Sequence, residues 1–245
     1  MALIEEFESS GNWLFKYRTW LPIFLFPVFA LFFFFDTPQP DLLQSTPVVL
    51  LAFSTSFLGL AIRWITIGTV PRGTSGKNTS QQVADSLNTS GIYSTLRHPL
   101  YLGNFLIWFG IALYTAHLYL VLFTLLFFWL YYERIMFAEE SFLRKKYGQA
   151  YLDWSLRTPA FIPSFKNYRK SELNFSTKNV VKRESHALVN AIFSFAFIDL
   201  IQSFILHRSW LNAWVWYYVL GASVLFFFLL RIIIKKTSWL NVAGR

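Results

Sequence analysis

Five apolar runs, each free of Lys and Arg, divide the sequence. They cover residues 19–35, 42–62, 99–132, 187–206 and 211–230. Since a helix needs ~20 residues to cross ~30 Å of hydrocarbon, four of these runs predict single membrane spans. The run 99–132 would form a helix about 51 Å long, so we expect a break at residues 114–117 and two spans joined by a tight turn. The pattern predicts an all-α polytopic membrane protein with about six spans.

The composition supports this prediction, because 55% of the residues are hydrophobic, 20% are aromatic and only 14% are charged. A soluble core of this size cannot bury so many large apolar side chains, whereas a bilayer solvates them directly. The chain has no Cys, which excludes disulfide frameworks, thiolate metal sites and thiol nucleophiles. The four His are predicted to lie on two sides of the membrane, so no metal site is expected.

The distribution of the basic residues predicts the orientation. If the N-terminus is cytoplasmic, Arg208 alone among the 22 Lys and Arg lies on the far side. Both termini, the loop 71–98 and the segment 134–185 then face the cytoplasm. The net charge of +9 is therefore assigned to anionic lipid head groups and not to nucleic acid. A bacterial inner membrane is the expected location, and the endoplasmic reticulum is the alternative.

These patterns divide the chain into four predicted parts. They are an N-terminal segment with the first span (1–41), a membrane core (42–165), a hydrophilic linker (166–186) and a hairpin of two further spans (187–245). The core includes the cytoplasmic loop 71–98 and, at its end, an interfacial helix. Tyr147, Tyr151 and Trp154 follow each other at i, i+4 and i+7, which predicts an aromatic stripe on that helix facing lipid.

The segment 91–103 carries the first candidate for chemistry. Pro99 suits the first turn of a helix and restricts His98 to an extended conformation. Arg97 and His98 are therefore expected beside a helix N-terminus, where free N–H groups and a guanidinium together favour a carboxylate or phosphate. The alternative is a helix start with an arginine anchored at the lipid head groups.

Two adjacent carboxylates, Glu139 and Glu140, form the second candidate. Antiparallel packing about the predicted turn brings them to the depth of Arg97 and His98. Such a group of charges suits a zwitterion, for example an amino-acid moiety. Glu140 is expected to pair with Arg144 at i+4. Glu139 has apolar helical neighbours and therefore needs a ligand or a cationic partner.

Several further motifs surround these residues: GIY at 91–93, RHPLYLG at 97–103, EE at 139–140, Leu143, YG at 147–148, Tyr151 and PAFIP at 159–163. In these motifs the sequence resembles the isoprenylcysteine carboxyl methyltransferase family, part of a wider group that includes phospholipid N-methyltransferases. The resemblance is strong over about residues 82–163. It implies S-adenosylmethionine as methyl donor, bound near the cytoplasmic face, and a lipidic or lipid-anchored acceptor that enters from the bilayer.

The resemblance also implies ten cofactor-binding positions, which are Asp85, Ser86, Leu87, Asn88, Tyr93, His98, Pro99, Leu100, Tyr101 and Glu139. Asp85 departs from the family, which usually has His there. The family's acceptor-binding arginine falls on Ile135, so its neighbour Arg134, about 100° away around the helix, is the candidate substrate-binding residue. Arg97, His98 and Arg134 are candidates for positioning the reactants, and no catalytic group is assigned.

Two other functions stay open from the sequence. An NADPH-dependent membrane reductase is one, because sterol reductases carry a similar arginine–histidine–aromatic motif at a helix start. Those enzymes usually have an acidic residue after the glycine, where this chain has Asn104, and Pro99 with the two glutamates favours the methyltransferase. A transporter or assembly protein is the other, suggested by Asp199 within a span and by the extra hairpin. The acceptor group, whether carboxylate, phosphate or amine, is left open.

Overall fold

The computed structural model describes residues 2–36, 45–71, 73–74, 82 and 84–245, and the regular elements among them are all helical. We number the α-helices α1 (Leu3–Tyr17), α2 (Leu25–Phe35), α3 (Thr46–Thr69), α4 (Pro99–Tyr114), α5 (Leu118–Tyr147), α6 (Gln149–Ser155), α7 (Thr177–His207) and α8 (Trp214–Lys236). The predicted all-α class is confirmed. The start of the predicted span 42–62 and much of the first half of the loop 71–98 lie outside the described residues.

Four helices, α3, α5, α7 and α8, are long and apolar enough to cross a membrane. A fifth span results if Leu3–Tyr17 and Pro22–Phe35 are taken as one helix bent by 75°. Helix α4 is apolar but shorter, with 16 residues. The chain is thus a multi-pass membrane protein, while the count of six spans and the cytoplasmic orientation stay predictions.

The predicted break in the run 99–132 is confirmed, because α4 ends at Tyr114 and α5 begins at Leu118. Ala116 takes a φ of 52°, a left-handed conformation that reverses the chain. The buried Thr115 hydroxyl donates to the Ala112 carbonyl at 2.6 Å, and Gln202 of α7 donates to the Thr115 carbonyl at 3.2 Å. This turn makes α4 and α5 antiparallel, so the start of α4 lies beside the end of α5.

Helices α3 and α4 pack backbone against backbone through small residues. A Cβ on Gly59 would lie 2.5 Å from the Gly103 carbonyl oxygen, and a Cβ on Gly103 would lie 2.6 Å from Cγ of Arg63. The Ser56 hydroxyl donates to the Ile107 carbonyl at 2.8 Å. Gly103 of the RHPLYLG motif therefore allows the side chain of Arg63 to pass over α4.

Helix α7 begins at Thr177, well before the predicted start at residue 187. The side chain of Ser176 caps it by accepting from the Asn179 amide at 3.3 Å. Much of the predicted hydrophilic linker 166–186 is therefore helical. Its polar residues are compatible with a bundle because some of them face inward, among them Glu184, which is 4% exposed. Helix α7 thus packs against the membrane core, whereas α8 packs mainly against α7.

The predicted interfacial helix is interrupted. Gly148 has a φ of 55°, which ends α5 and starts the short helix α6. Tyr151 is buried, and Trp154 donates from Nε1 to the Tyr93 carbonyl at 3.0 Å. The prediction of an aromatic stripe facing lipid is therefore wrong for these two residues, because the break at Gly148 turns them toward the segment 91–103.

Candidate functional site

A cavity of about 1570 Å³ lies between helices α3, α4, α5 and α7 and the residues before α4. Its wall contains all ten positions that the family resemblance assigns to the cofactor: Asp85, Ser86, Leu87, Asn88, Tyr93, His98, Pro99, Leu100, Tyr101 and Glu139. Arg97 also lines it. The structure therefore brings residues from three separate parts of the sequence to one cavity.

The start of α4 is held by the segment that follows α6. The amide of Arg97 donates to the Pro159 carbonyl at 2.9 Å, and the amide of His98 donates to the Ala160 carbonyl at 3.1 Å. The His98 carbonyl accepts from the Tyr101 and Leu102 amides, both at 3.2 Å, which begins the helix. These bonds explain why the PAFIP motif at 159–163 accompanies the RHPLYLG motif.

His98 is buried between the two carboxylates. Its Nδ1 lies 3.4 Å from Oε2 of Glu139, and its Nε2 lies 2.9 Å from Oε1 of Glu140. The same Glu140 oxygen lies 3.1 Å from Nε of Arg97. The predicted pairing of Glu140 with Arg144 is therefore wrong. The antiparallel register places the start of α4 within reach of both glutamates, so Glu140 pairs across the hairpin and not along its own helix.

The charge of His98 follows from these neighbours. Burial alone would lower the pKa of His98, but hydrogen bonds to Glu139 and Glu140 outweigh it and raise this pKa above the ordinary 6.5. Both carboxylates therefore favour the protonated form of the ring. We refer to the four residues Arg97, His98, Glu139 and Glu140 as the His98 cluster. They place charges of both signs at the edge of the cavity.

We expect the pKa of His98 to lie above 6.5 in the folded protein, and Glu140→Gln to lower it by removing one carboxylate. A pKa raised by folding means that His98 contributes its full stabilisation below pH 6.5 and loses it as the pH rises through the folded-state value. NMR titration of ring-labelled histidine, with His98→Gln for assignment, measures this pKa. A value at or below 6.5 in the wild type would contradict the arrangement.

Aromatic rings continue the wall next to the His98 cluster. The ring of Tyr101 stacks against His98 with centroids 5.6 Å apart and against Tyr132 with centroids 4.8 Å apart. Tyr93 and Trp154 line the same cavity. Flat aromatic surfaces beside charged groups of both signs suit a ligand that combines a planar ring with a zwitterion.

Comparison with known proteins agrees with this geometry. Residues 48–150 match the family model for phospholipid methyltransferases. The matched region includes α3, α4 and the His98 cluster, and it confirms the resemblance to the wider group of membrane methyltransferases.

Two curated relatives are similar to part of the chain. One is the nickel-cobalt-cadmium resistance protein NccN of Alcaligenes xylosoxydans xylosoxydans, 31% identical over 47% of this chain and 54% of that protein. The other is the cobalt-zinc-cadmium resistance protein CzcN of Cupriavidus metallidurans, 33% identical over 47% of this chain and 53% of that protein. The chain thus spans about half the length of these relatives. No solved structure matches the chain significantly.

Helix α7, which lies outside the methyltransferase match, completes the cavity. Arg63 of α3 binds Glu184 of α7 through two contacts, Nε to Oε2 at 2.7 Å and a terminal nitrogen to Oε1 at 3.0 Å. The other terminal nitrogen of Arg63 donates to Oδ1 of Asn104 at 2.5 Å. This network ties three helices together. Sequence reasoning missed it, and the only signal was an arginine directly after an apolar run.

Arg134, the predicted substrate-binding residue, does not line this cavity. Its guanidinium lies over the Phe7 ring at 5.0 Å, and its carbonyl is so close to Gly11 of α1 that a Cβ there would be 2.1 Å away. Arg134, which is about 100° around α5 from Ile135, therefore faces α1. The structure therefore separates Arg134 from the His98 cluster, while Arg18, at the end of α1, lines the cavity.

Proposed function

We propose that the protein is an S-adenosylmethionine-dependent membrane methyltransferase that acts on a lipidic or isoprenoid-type acceptor. One observation carries the proposal: the ten positions that resemble the cofactor residues of such enzymes all line the same cavity, with the His98 cluster at its edge. The family match supports the methyltransferase class, and the choice of donor and acceptor is our inference.

The residues present fit S-adenosylmethionine. The guanidinium of Arg97 suits a carboxylate, and Glu139 suits an ammonium group. Tyr93 and Tyr101 offer rings for the adenine. The cavity of about 1570 Å³ is larger than the roughly 300–1,000 Å³ of an ordinary small-molecule pocket, which leaves room for an acceptor.

When bound, this donor would supply a methyl group already activated by the sulfonium. The protein then needs mainly to align donor and acceptor and to exclude water. His98 is held between two carboxylates, so its role in this proposal is to position Glu139 and Glu140 and not to act as a general base. A carboxylate or phosphate acceptor needs no proton removed, whereas an amine acceptor must first be neutral.

The acceptor would enter from the bilayer through the apolar part of the cavity. This part is lined by Ile23, Phe26, Trp108, Ile111 and Phe193. Ile23 and Phe193 are about half exposed, at 47% and 50%, so the apolar wall continues to the surface that lipid contacts. A hydrocarbon chain is the ligand chemistry that such a wall favours.

Binding of labelled S-adenosylmethionine and of NADPH to the purified protein tests the proposal against the reductase alternative. We expect saturable binding of S-adenosylmethionine, retained in Arg134→Gln and reduced in His98→Ala, because only His98 lines the cavity. Binding of NADPH in place of S-adenosylmethionine would make the reductase the better assignment. Binding of neither compound would favour a transporter or assembly role.

We also propose that the cavity opens at the cytoplasmic face, as the distribution of basic residues predicts. Tyr119 and Thr237 are exposed and lie at opposite ends of the membrane helices. Since the chain has no native Cys, Thr237→Cys should react with an impermeant maleimide only from the cytoplasmic side and Tyr119→Cys only from the other side. The reverse pattern would invert the orientation.

A further inference from the structure

The end of α5 holds a segment of the loop before α4. Lys146 donates from Nζ to the Ala84 carbonyl at 2.6 Å, and the Tyr147 hydroxyl donates to the same oxygen at 2.6 Å. A carbonyl oxygen has two lone pairs and can accept both bonds. Ala84 is directly followed by residues 85–88, which supply four of the ten predicted cofactor positions. The two bonds therefore fix the point at which these four residues join the cavity wall.

Two further bonds of this segment remain within its own loop. The Asp85 amide donates to the Gly73 carbonyl at 3.2 Å. The Asn88 side chain donates to the Thr74 carbonyl at 3.4 Å. Such bonds shape the loop locally, but by themselves they do not relate it to α5. The bonds to Ala84 do relate the two, because both of their donors belong to that helix.

Helix α5 also carries the two carboxylates of the His98 cluster. Glu139 lies seven residues before Lys146, so both share one face of the helix and are separated by ~10 Å along its axis. The same relation holds for Glu140 and Tyr147. One helix thus sets the distance between the His98 cluster and the segment 84–88. Since the predicted cofactor positions include residues of both parts, the fit of a bound donor depends on this distance.

We infer that Lys146 and Tyr147 are positioning residues for the ligand that binds between the segment 84–88 and the His98 cluster. Neither residue lines the cavity, so they act through Ala84 and not by contact with the ligand. A ligand that meets a segment already held in place does not bear the entropy cost of ordering it. That the ligand is S-adenosylmethionine rests on the proposed function, whereas the effect of the two bonds on the segment does not.

Two substitutions test the inference in nanodiscs. Tyr147→Phe removes only the hydroxyl, and Lys146→Met removes the ammonium group from a chain of similar length. We expect each to weaken the binding of S-adenosylmethionine about threefold, and the double variant about tenfold, as is typical of two hydrogen bonds near the surface. Hydrogen–deuterium exchange of the amides at 84–88 should become faster in the same variants. The midpoint of thermal unfolding should stay unchanged, because the segment opens locally.

Lys145→Met is the matched control. It removes the same charge from the adjacent position, where the side chain is 66% exposed and bound to Glu8 of α1. It should leave both the affinity and the exchange at 84–88 at the wild-type values. Lys146→Arg should retain most of the affinity, because a guanidinium can also donate to a carbonyl. If Lys146 contributed only a charge at the end of α5, Lys145→Met and Lys146→Met would instead have equal effects.

Titration with NADPH in the same samples separates this inference from the proposed function. If NADPH binds in place of S-adenosylmethionine and its affinity falls in the double variant, the proposed function fails and the positioning role stands. An unchanged ligand affinity in the double variant would overturn the inference, and so would exchange at 84–88 that stays at the wild-type rate. Equal losses in Lys145→Met and Lys146→Met would overturn it as well. Binding of neither compound to the wild type would overturn both proposals.

Discussion

Replacing Glu139 or Glu140 by Gln should weaken the binding of S-adenosylmethionine by roughly 30- to 150-fold. This factor corresponds to the loss of one charge-assisted hydrogen bond, which contributes about 2–3 kcal/mol in a desolvated site. Glu139 acts directly in this proposal, as the partner of the ammonium group. Glu140 acts through its contacts with Arg97 at 3.1 Å and with His98 at 2.9 Å, because it holds both cations at the cavity edge.

Glu133→Gln is the matched control for this pair of variants. It removes the same charge from the same helix, about two turns away, at a position that does not line the cavity. Calorimetric titration of the three variants should leave Glu133→Gln at the wild-type affinity. If Glu140→Gln binds S-adenosylmethionine with wild-type affinity, the contacts of Glu140 with Arg97 and His98 do not contribute to binding. Glu139 alone would then bind the ligand, as its apolar helical neighbours suggested.

The parts of the site that could be predicted from sequence depend on local geometry. Two helices joined by one short turn have a fixed relation, because each residue advances the helix by ~1.5 Å. Counting from the break near Ala116 was therefore enough to bring His98 and Glu139 to one depth. Pro99 similarly predicted the helix start, since a proline restricts both itself and the residue before it.

The partner of Glu140 could not be predicted in this way. An i+4 pair with Arg144 satisfied every local rule. The choice between Arg144 and the Arg97–His98 pair depends on how α5 is rotated about its axis, and the packing of α1 and α4 decides that rotation. The same rotation turns Arg134 toward Phe7 and away from the cavity.

The role of α7 was hidden for a different reason. Its first turns are polar, so a hydropathy pattern assigned them to a linker, and their inward contacts are with α3, more than a hundred residues earlier in the chain.

The break at Gly148, in contrast, could have been predicted from the sequence. Arg144, Lys145 and Lys146 occupy the last turn before a glycine, a pattern typical of a helix C-terminus.

Removing one partner of the Arg63–Glu184 pair should destabilise the protein by about 3–5 kcal/mol, because the other charge is left buried and unpaired. Glu184 is 4% exposed and Arg63 16%, so water cannot replace the lost contacts. We expect Glu184→Leu and Arg63→Met each to show this loss in unfolding measured in mixed micelles. The double variant should recover most of it, since two well-packed apolar side chains can replace a buried ion pair at little cost.

The exposed pair of Lys145 with Glu8 provides the contrast for this double-mutant cycle. Lys145 is 66% exposed, so the loss of that pair should cost less than about 1 kcal/mol. Equal small effects at both pairs would mean that the Arg63–Glu184 contact does not hold α7 against α3.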